Sequence, residues 1–220
     1  MNAVAAAVAG GAGILVGPPV AAIVYALPAS GPFSVPPRCW TGRPAPRRAI
    51  VLTSVLTSTT AALGCSSLPL SLAQPAFWMF AVLGVALAGM DLRRKRLPYA
   101  LTATLYLACT AGFIAEAFRS DDFGPLARAS VTAVFVTAGM LAFALALPGQ
   151  LGLGDVLFAG AVTFSLGWLS WQAAIVGLLA GLLIQGVVVL AAKVHRRDRA
   201  LLPLGPALVI GWFLTVVLAG

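Results

Sequence analysis

Long apolar runs separated by short polar segments dominate this chain. Because about 20 apolar residues are needed to cross the hydrocarbon core of a bilayer, this pattern predicts about eight transmembrane helices. The predicted spans cover residues 3–27, 49–71, 75–91, 98–117, 128–148, 155–169, 171–192 and 203–219. We therefore predict an all-α, polytopic membrane protein in which residues 1–220 form a single membrane domain.

Three local patterns refine this prediction. Gly17-Pro18-Pro19 in the first span predicts a kink or a break, because a proline inside a helix removes a hydrogen bond and clashes with the preceding turn. Gly177 and Gly181 in the seventh span are spaced for close packing on a neighbouring helix. Residues 28–48 hold six prolines and no apolar periodicity, which predicts a proline-rich cytoplasmic loop and not a folded domain.

Composition supports a membrane protein and argues against nucleic-acid binding. The chain is 60% hydrophobic, has a mean hydropathy of +1.00 and carries only 9% charged residues, whereas soluble domains carry roughly 25%. The net charge of +8 could suggest nucleic acid as a partner. The basic residues, however, lie in loops between spans and have no soluble surface on which to form a binding groove.

The basic residues also predict the orientation of the chain. If the N-terminus lies outside, residues 28–48, 92–97 and 193–202 are cytoplasmic loops, and each holds four of the 14 Lys and Arg residues. Only Arg119 and Arg128 then remain outside. Cytoplasmic loops carry an excess of Lys and Arg, so this distribution favours one orientation. It also places both Asp91 and Asp155 at the cytoplasmic side of the membrane.

These two aspartates are the candidate catalytic residues. Of the six acids, Asp198 lies in a basic loop, and Glu116, Asp121 and Asp122 fall at the predicted outer surface. Asp91 and Asp155 alone border the cytoplasmic interface, and an ionisable side chain beside a membrane span is a functional candidate. The alternative for either residue by itself is a carboxylate at a helix end; Asp155 suits a helix N-terminus, where an anion is favoured.

A pair of carboxylates has chemistry that a single one lacks. Two carboxylates brought close together do not both ionise easily, so one keeps a proton at neutral pH. The ionised group can then take a proton from water while the neutral group hydrogen-bonds the scissile carbonyl, which is general acid–base peptide hydrolysis. Helix ends favour Asp155 as the ionised base, because Asp91 lies at a helix C-terminus.

Other catalytic and metal-binding schemes receive little support from the sequence. His195, the one histidine, lies in a basic loop without the Ser or Cys context of a catalytic triad. Cys39, Cys65 and Cys109 are single and widely spaced, and no Cys-x-x-Cys pair exists. We therefore predict neither a zinc site nor a redox motif, and no cofactor.

Three short motifs in this chain resemble those of the type IV prepilin (leader) peptidases, membrane aspartic peptidases of the Gly-x-Gly-Asp group. They occur in the family's order within residues 75–219, which we take as a peptidase-like core. The motifs are Asp91, Arg93 and Leu97-Pro98; then Gly152-Leu153-Gly154-Asp155; then Pro203-Leu204-Gly205-Pro206, followed by Gly211.

The resemblance implies an endopeptidase that cuts the leader of prepilin-like precursors after a Gly, just before a hydrophobic stem. It implies Asp91 and Asp155 as catalytic residues on the cytoplasmic side of a bacterial inner membrane. Two positions depart from the family pattern: Tyr99 stands where Asn or Asp is usual, and Leu157 where Lys is usual. The paired Cys-x-x-Cys motifs of the methyltransferase segment are also missing, so the chain resembles a short, peptidase-only form.

Two other functions remain open at this stage. Paired intramembrane acids also serve as ion relays, so a transporter or proton-pathway protein is one alternative, although the sequence lacks the internal repeat that would support it. A catalytically weak scaffold that binds pilin-like proteins is the other, and Leu157 favours it. In every case membrane lipids are partners, because the basic loops meet anionic headgroups. The sequence does not indicate an oligomeric state.

Overall fold

A computed structural model describes residues 3–26, 38–95, 97–146, 151–194 and 203–219 of the chain, and these residues form an all-α bundle. One short 3₁₀ helix, Cys39–Thr41, precedes the second α-helix. The α-helices are α1 (Ala3–Ala26), α2 (Arg47–Ser66), α3 (Gln74–Arg94), α4 (Tyr99–Ser120), α5 (Gly124–Ala146), α6 (Leu153–Leu169), α7 (Trp171–Val194) and α8 (Gly205–Ala219).

The predicted fold class is confirmed: the chain is an all-α, polytopic membrane protein. Within the described ranges, six helices are long and apolar enough to cross a membrane, and α6 and α8 are shorter, with 17 and 15 residues. The largest error in the predicted boundaries concerns α2, which ends at Ser66 and not near residue 71. Pro69 explains this end, since a proline disfavours helical backbone at the residue before it.

The sequence predicts a kink or a break in α1, and the break is wrong. Pro18 and Pro19 lie inside one α-helix, and contacts with α2 hold this turn in place. Gly17 allows the two helices to come very close, because a Cβ atom at this position would overlap the Cα of Ser54. Thr53 of α2 donates a hydrogen bond from its Oγ1 to the carbonyl oxygen of Gly17, at 3.2 Å.

The close packing predicted for α7 is confirmed, and its neighbour is α8. A Cβ atom at Gly211 of α8 would lie 2.5 Å from the carbonyl oxygen of Gly177 and 2.6 Å from the nitrogen of Gly181. The two backbones can approach this closely only because all three positions are glycine. Gly211, which follows the third motif in sequence, therefore sets the position of α8.

The centre of the bundle joins the three helices that carry the candidate motifs. Trp212 of α8 is fully buried and stacks on Phe80 of α3, with ring centroids 4.4 Å apart. Its indole Nε1 donates a hydrogen bond of 2.8 Å to Ser165 Oγ on α6. A buried indole N–H needs such a partner, so this contact fixes α3, α6 and α8 relative to one another.

Candidate active site at one end of the bundle

Asp91 lies in the last turn of α3 and is only 3% exposed. Its Oδ2 accepts a hydrogen bond of 2.7 Å from the backbone nitrogen of Gly205, the first residue of α8. The first N–H groups of an α-helix have no partner within the helix, and an anion is stabilised there. The Asp91 carboxylate therefore caps the N-terminus of α8.

The sequence of the third motif follows from this contact. A Cβ atom at Gly205 would lie 2.9 Å from Asp91 Oδ2 and 3.2 Å from Asp91 Cβ, so a larger residue would push the carboxylate away. Pro206 comes next, in the first turn of α8, where the N–H that proline lacks is not needed. Gly205 thus allows the close approach, and Pro206 favours the start of the helix.

Asp155 lies in the first turn of α6 and is partly exposed. Its Oδ2 accepts a hydrogen bond of 3.3 Å from the backbone nitrogen of Gly152, the residue that caps this helix. A Cβ atom at Gly152 would lie 3.2 Å from the same oxygen. The carboxylate therefore folds back over the start of its own helix, and Gly152 leaves room for it.

The first and second motifs touch each other directly. A Cβ atom at Gly154 would lie 2.9 Å from the Cβ of Leu97 and 3.2 Å from its carbonyl oxygen. Leu97 is buried, and Pro98 after it adopts extended backbone at the start of α4. Gly154 therefore allows the start of α6 to pack on the segment that follows Asp91.

All three motifs meet at this end of the bundle, which we call the Asp91 end. Asp91 and Gly205 join the first motif to the third, and Leu97 and Gly154 join the first to the second. These contacts place Asp91 of α3 and Asp155 of α6 at the same end of the bundle. The candidate catalytic residues are thus brought together, although they lie on different helices.

One part of the prediction for this pair needs correction. Asp91 belongs to the C-terminal turn of α3, as expected, but its carboxylate lies at the N-terminus of α8. Both Asp91 and Asp155 are therefore at helix N-termini, which favour a negative charge. Helix ends consequently do not distinguish the ionised carboxylate from the protonated one.

The other predicted motif residues have separate positions. The guanidinium carbon of Arg93 lies 3.5 Å from the centroid of the Tyr25 ring, on the last turn of α1. Tyr99, the first of the two departures from the family pattern, begins α4 and is 57% exposed. Leu157, the second departure, is partly buried in α6. His195 and Asp198 lie outside the described residues.

The opposite end of the bundle contains polar residues with structural roles. Glu116 lies near the end of α4 for which the sequence predicts an outer position. Its side chain is buried and accepts a hydrogen bond of 2.6 Å from the backbone nitrogen of Leu72, besides its pairing with Arg119. Arg128 donates from Nε to the carbonyl oxygen of Gly167, at 2.7 Å, and so caps the C-terminus of α6. Sequence alone does not reveal such contacts between distant segments.

Comparisons with known proteins leave the resemblance as a hypothesis. No family model, no curated protein and no solved structure matches this chain. In the described part of the chain, no three or more His, Cys, Asp and Glu residues are grouped so that they could hold a metal ion. The groups that the structure describes around the candidate residues at the Asp91 end include two carboxyl groups and the backbone N–H groups that bind them.

Proposed function

We propose that this chain is a membrane aspartic endopeptidase that removes the leader of prepilin-like precursors at the cytoplasmic face of a bacterial inner membrane. One observation carries the proposal: Asp91 and Asp155 lie at the same end of the bundle, and each accepts a hydrogen bond from the backbone N–H of a motif glycine.

The pair can hydrolyse a peptide bond without a nucleophilic side chain. The ionised carboxylate takes a proton from water as the water oxygen attacks the scissile carbonyl carbon, and the protonated carboxyl group hydrogen-bonds the carbonyl oxygen. The tetrahedral intermediate then collapses, the C–N bond breaks, and the leaving amine takes a proton from a carboxyl group. No co-reactant besides water is required.

The position of the pair suits a substrate that is cut beside its membrane-spanning stem. Asp155 is partly exposed and Asp91 is buried, so a peptide that approaches from the surface meets Asp155 first. Arg93, Arg94 and Lys95 lie two to four residues after Asp91 in sequence. We assign these cations to orientation of the chain and to contact with anionic lipid headgroups, not to attraction of a basic leader.

Cleavage of a precursor in vesicles tests the proposal. The purified protein is reconstituted with a precursor that has a short leader, a Gly before the cut and a hydrophobic stem. We expect cleavage after that Gly, and Asp155→Asn should lower the rate by about a hundredfold or more, since general acid–base groups contribute about 10²–10⁴-fold. The matched control is Asp121→Asn: Asp121 is exposed and has positive φ, which Asn tolerates.

The other outcomes separate the alternatives. A wild-type protein that binds the precursor but leaves it uncut would favour the scaffold. Proton flux through vesicles that stops in Asp155→Asn, without any cleavage by the wild type, would favour the transporter. Equal cleavage by wild type and Asp155→Asn would contradict the aspartic mechanism.

A further inference from the structure

The last turn of α1 packs on the last turn of α3 at the Asp91 end. Arg94 of α3 donates a hydrogen bond of 3.3 Å from Nη2 to the carbonyl oxygen of Tyr25. The preceding residue, Arg93, places its guanidinium over the face of the same tyrosine ring, 3.5 Å from the centroid. Two consecutive arginines thus bind one residue of α1, through its backbone and through its ring.

A third contact lies one turn earlier on α3. A Cβ atom at Gly89 would lie 3.3 Å from both methyl carbons of Val24, so Val24 fills the space that this glycine leaves. Asp91 lies between Gly89 and Arg93 in sequence. The last turns of α1 therefore contact α3 on both sides of the candidate catalytic residue.

These contacts stabilise the C-terminal turns of both α1 and α3, where hydrogen bonds within each helix are missing. The last carbonyl groups of a helix lack partners within it, and Arg94 supplies one for α1. Basic side chains are also favoured at a helix C-terminus, and a guanidinium over an aromatic ring adds a cation–π interaction. Helix ends otherwise fray, and α3 ends only three residues after Asp91, at Arg94.

We infer that Tyr25 is a positioning residue for Asp91: α1 holds the last turn of α3 from one side, while Gly205 of α8 binds the carboxylate from the other. The inference rests on the proposed function, since a position matters here only if Asp91 takes part in cleavage. Tyr25 lies outside the three motifs, and its role comes from contacts between distant segments.

Substitutions at Tyr25 test this role in the vesicle cleavage assay. Tyr25→Leu removes the ring from Arg93 and should lower kcat about three- to tenfold, the size expected for a cation–π contact, while KM changes less than about twofold. Tyr25→Phe keeps the ring and should restore most of the rate. Trp40→Leu is the matched control, because Trp40 is a 78% exposed aromatic residue in the 3₁₀ helix Cys39–Thr41.

The pH profile of cleavage separates positioning from a loss of folded protein. If Asp91 shifts relative to Asp155, their coupling changes and the pH optimum of Tyr25→Leu should move. A smaller folded fraction would only scale the whole curve down. An unshifted optimum in Tyr25→Leu, together with a lower rate, would contradict the positioning role.

A disulfide gives a readout that does not depend on activity. The Cβ–Cβ distance between Val24 and a residue placed at Gly89 is 4.0 Å, within the range of about 3.5–4.5 Å that disulfides adopt. The double substitution Val24→Cys and Gly89→Cys should therefore cross-link on oxidation. In the Tyr25→Leu background, this cross-link should restore kcat toward that of the cross-linked protein with Tyr25.

The outcomes distinguish the two proposals. If the wild type does not cleave, the proposed function fails and this inference fails with it. If the wild type cleaves and Tyr25→Leu cleaves equally fast, only the inference is overturned. Failure of the two cysteines to cross-link would likewise overturn the inference and leave the proposed function standing.

Discussion

At the scale of single residues, Gly205 is the position where one added methyl group should have the clearest effect. Its backbone nitrogen holds the Asp91 carboxylate, and a Cβ atom would lie 2.9 Å from the oxygen that it binds. Asp91 is buried, so the carboxylate has little room to move aside. The residue therefore controls the position of a candidate catalytic group without having a side chain.

Gly205→Ala should lower kcat about fivefold or more, because crowding at a buried site costs roughly 1–3 kcal/mol and about 1.4 kcal/mol corresponds to tenfold in rate. The measurement is cleavage of the precursor in vesicles. Gly139→Ala on α5 is the control, since a Cβ atom at Gly139 would have no neighbour within 4 Å. Equal rates for both variants would show that the contact between Asp91 and Gly205 has no part in cleavage.

The sequence identified the two candidate aspartates of this site, but it did not predict the contacts that position them. Asp91 and Asp155 stand out because acids are rare in this apolar chain, and their neighbouring glycines could be read from the motifs. The hydrogen bond from Gly205 and the contact of Leu97 with Gly154 depend on how distant helices pack. Hydropathy and motif spacing contain no information about such packing.

At the scale of helices, both ends of α6 are held by contacts with other segments of the chain. Its first turn carries Asp155 and packs on Leu97, and its last carbonyl groups accept hydrogen bonds from Arg128 of α5. Because α6 has only 17 residues, these end contacts involve a large part of it. Its C-terminal contacts should therefore affect stability, and its N-terminal contacts should affect cleavage.

Arg128→Ala should lower the free energy of unfolding by about 1.5–3 kcal/mol, the usual value for a hydrogen bond from a charged group, while kcat of the folded protein stays within about twofold. Thermal unfolding and vesicle cleavage measure the two effects. Arg48→Ala is the control, because Arg48 is exposed and such substitutions usually change stability by less than about 0.5 kcal/mol. A large loss of kcat in folded Arg128→Ala would contradict this division between the two ends.

Helix positions were more predictable than helix irregularities. Continuous apolar runs located all eight described α-helices, six of which are long and apolar enough to cross a membrane. The rule that proline ends a helix gave different results at two places. Pro69 ends α2 earlier than hydropathy suggested, whereas Pro18 and Pro19 do not end α1. The difference lies in packing, because α1 at Gly17 is pressed against α2 and tertiary contacts can override a local preference.

At the scale of the whole molecule, the two ends of the bundle differ in charge. In the described part of the chain, the cations Arg93, Arg94 and Lys95 lie at the Asp91 end, and Asp121 and Asp122 lie at the other end of α4. The excess of cations predicts that the Asp91 end faces the cytoplasm. The proposed substrate must present its leader on that side.

Reporter fusions test this orientation. A reporter fused after Lys193 should behave as cytoplasmic, and a reporter fused at Asp121 as external, because Lys and Arg are enriched in cytoplasmic loops. Fusion at Lys95 provides a second cytoplasmic position close to Asp91. A cytoplasmic signal at Asp121 would reverse the orientation and separate the two aspartates from the proposed leader.

The most direct test of the shared role of the two aspartates compares Asp91→Asn, Asp155→Asn and the double variant in the vesicle cleavage assay. All three should still insert, since an amide costs less to bury than a carboxylate. Each single variant should fall to about a hundredth of the wild-type rate or lower, and the double variant should be little worse, because members of one catalytic unit are strongly non-additive. Cleavage above about a hundredth of the wild-type rate in either single variant would contradict a catalytic pair formed by Asp91 and Asp155.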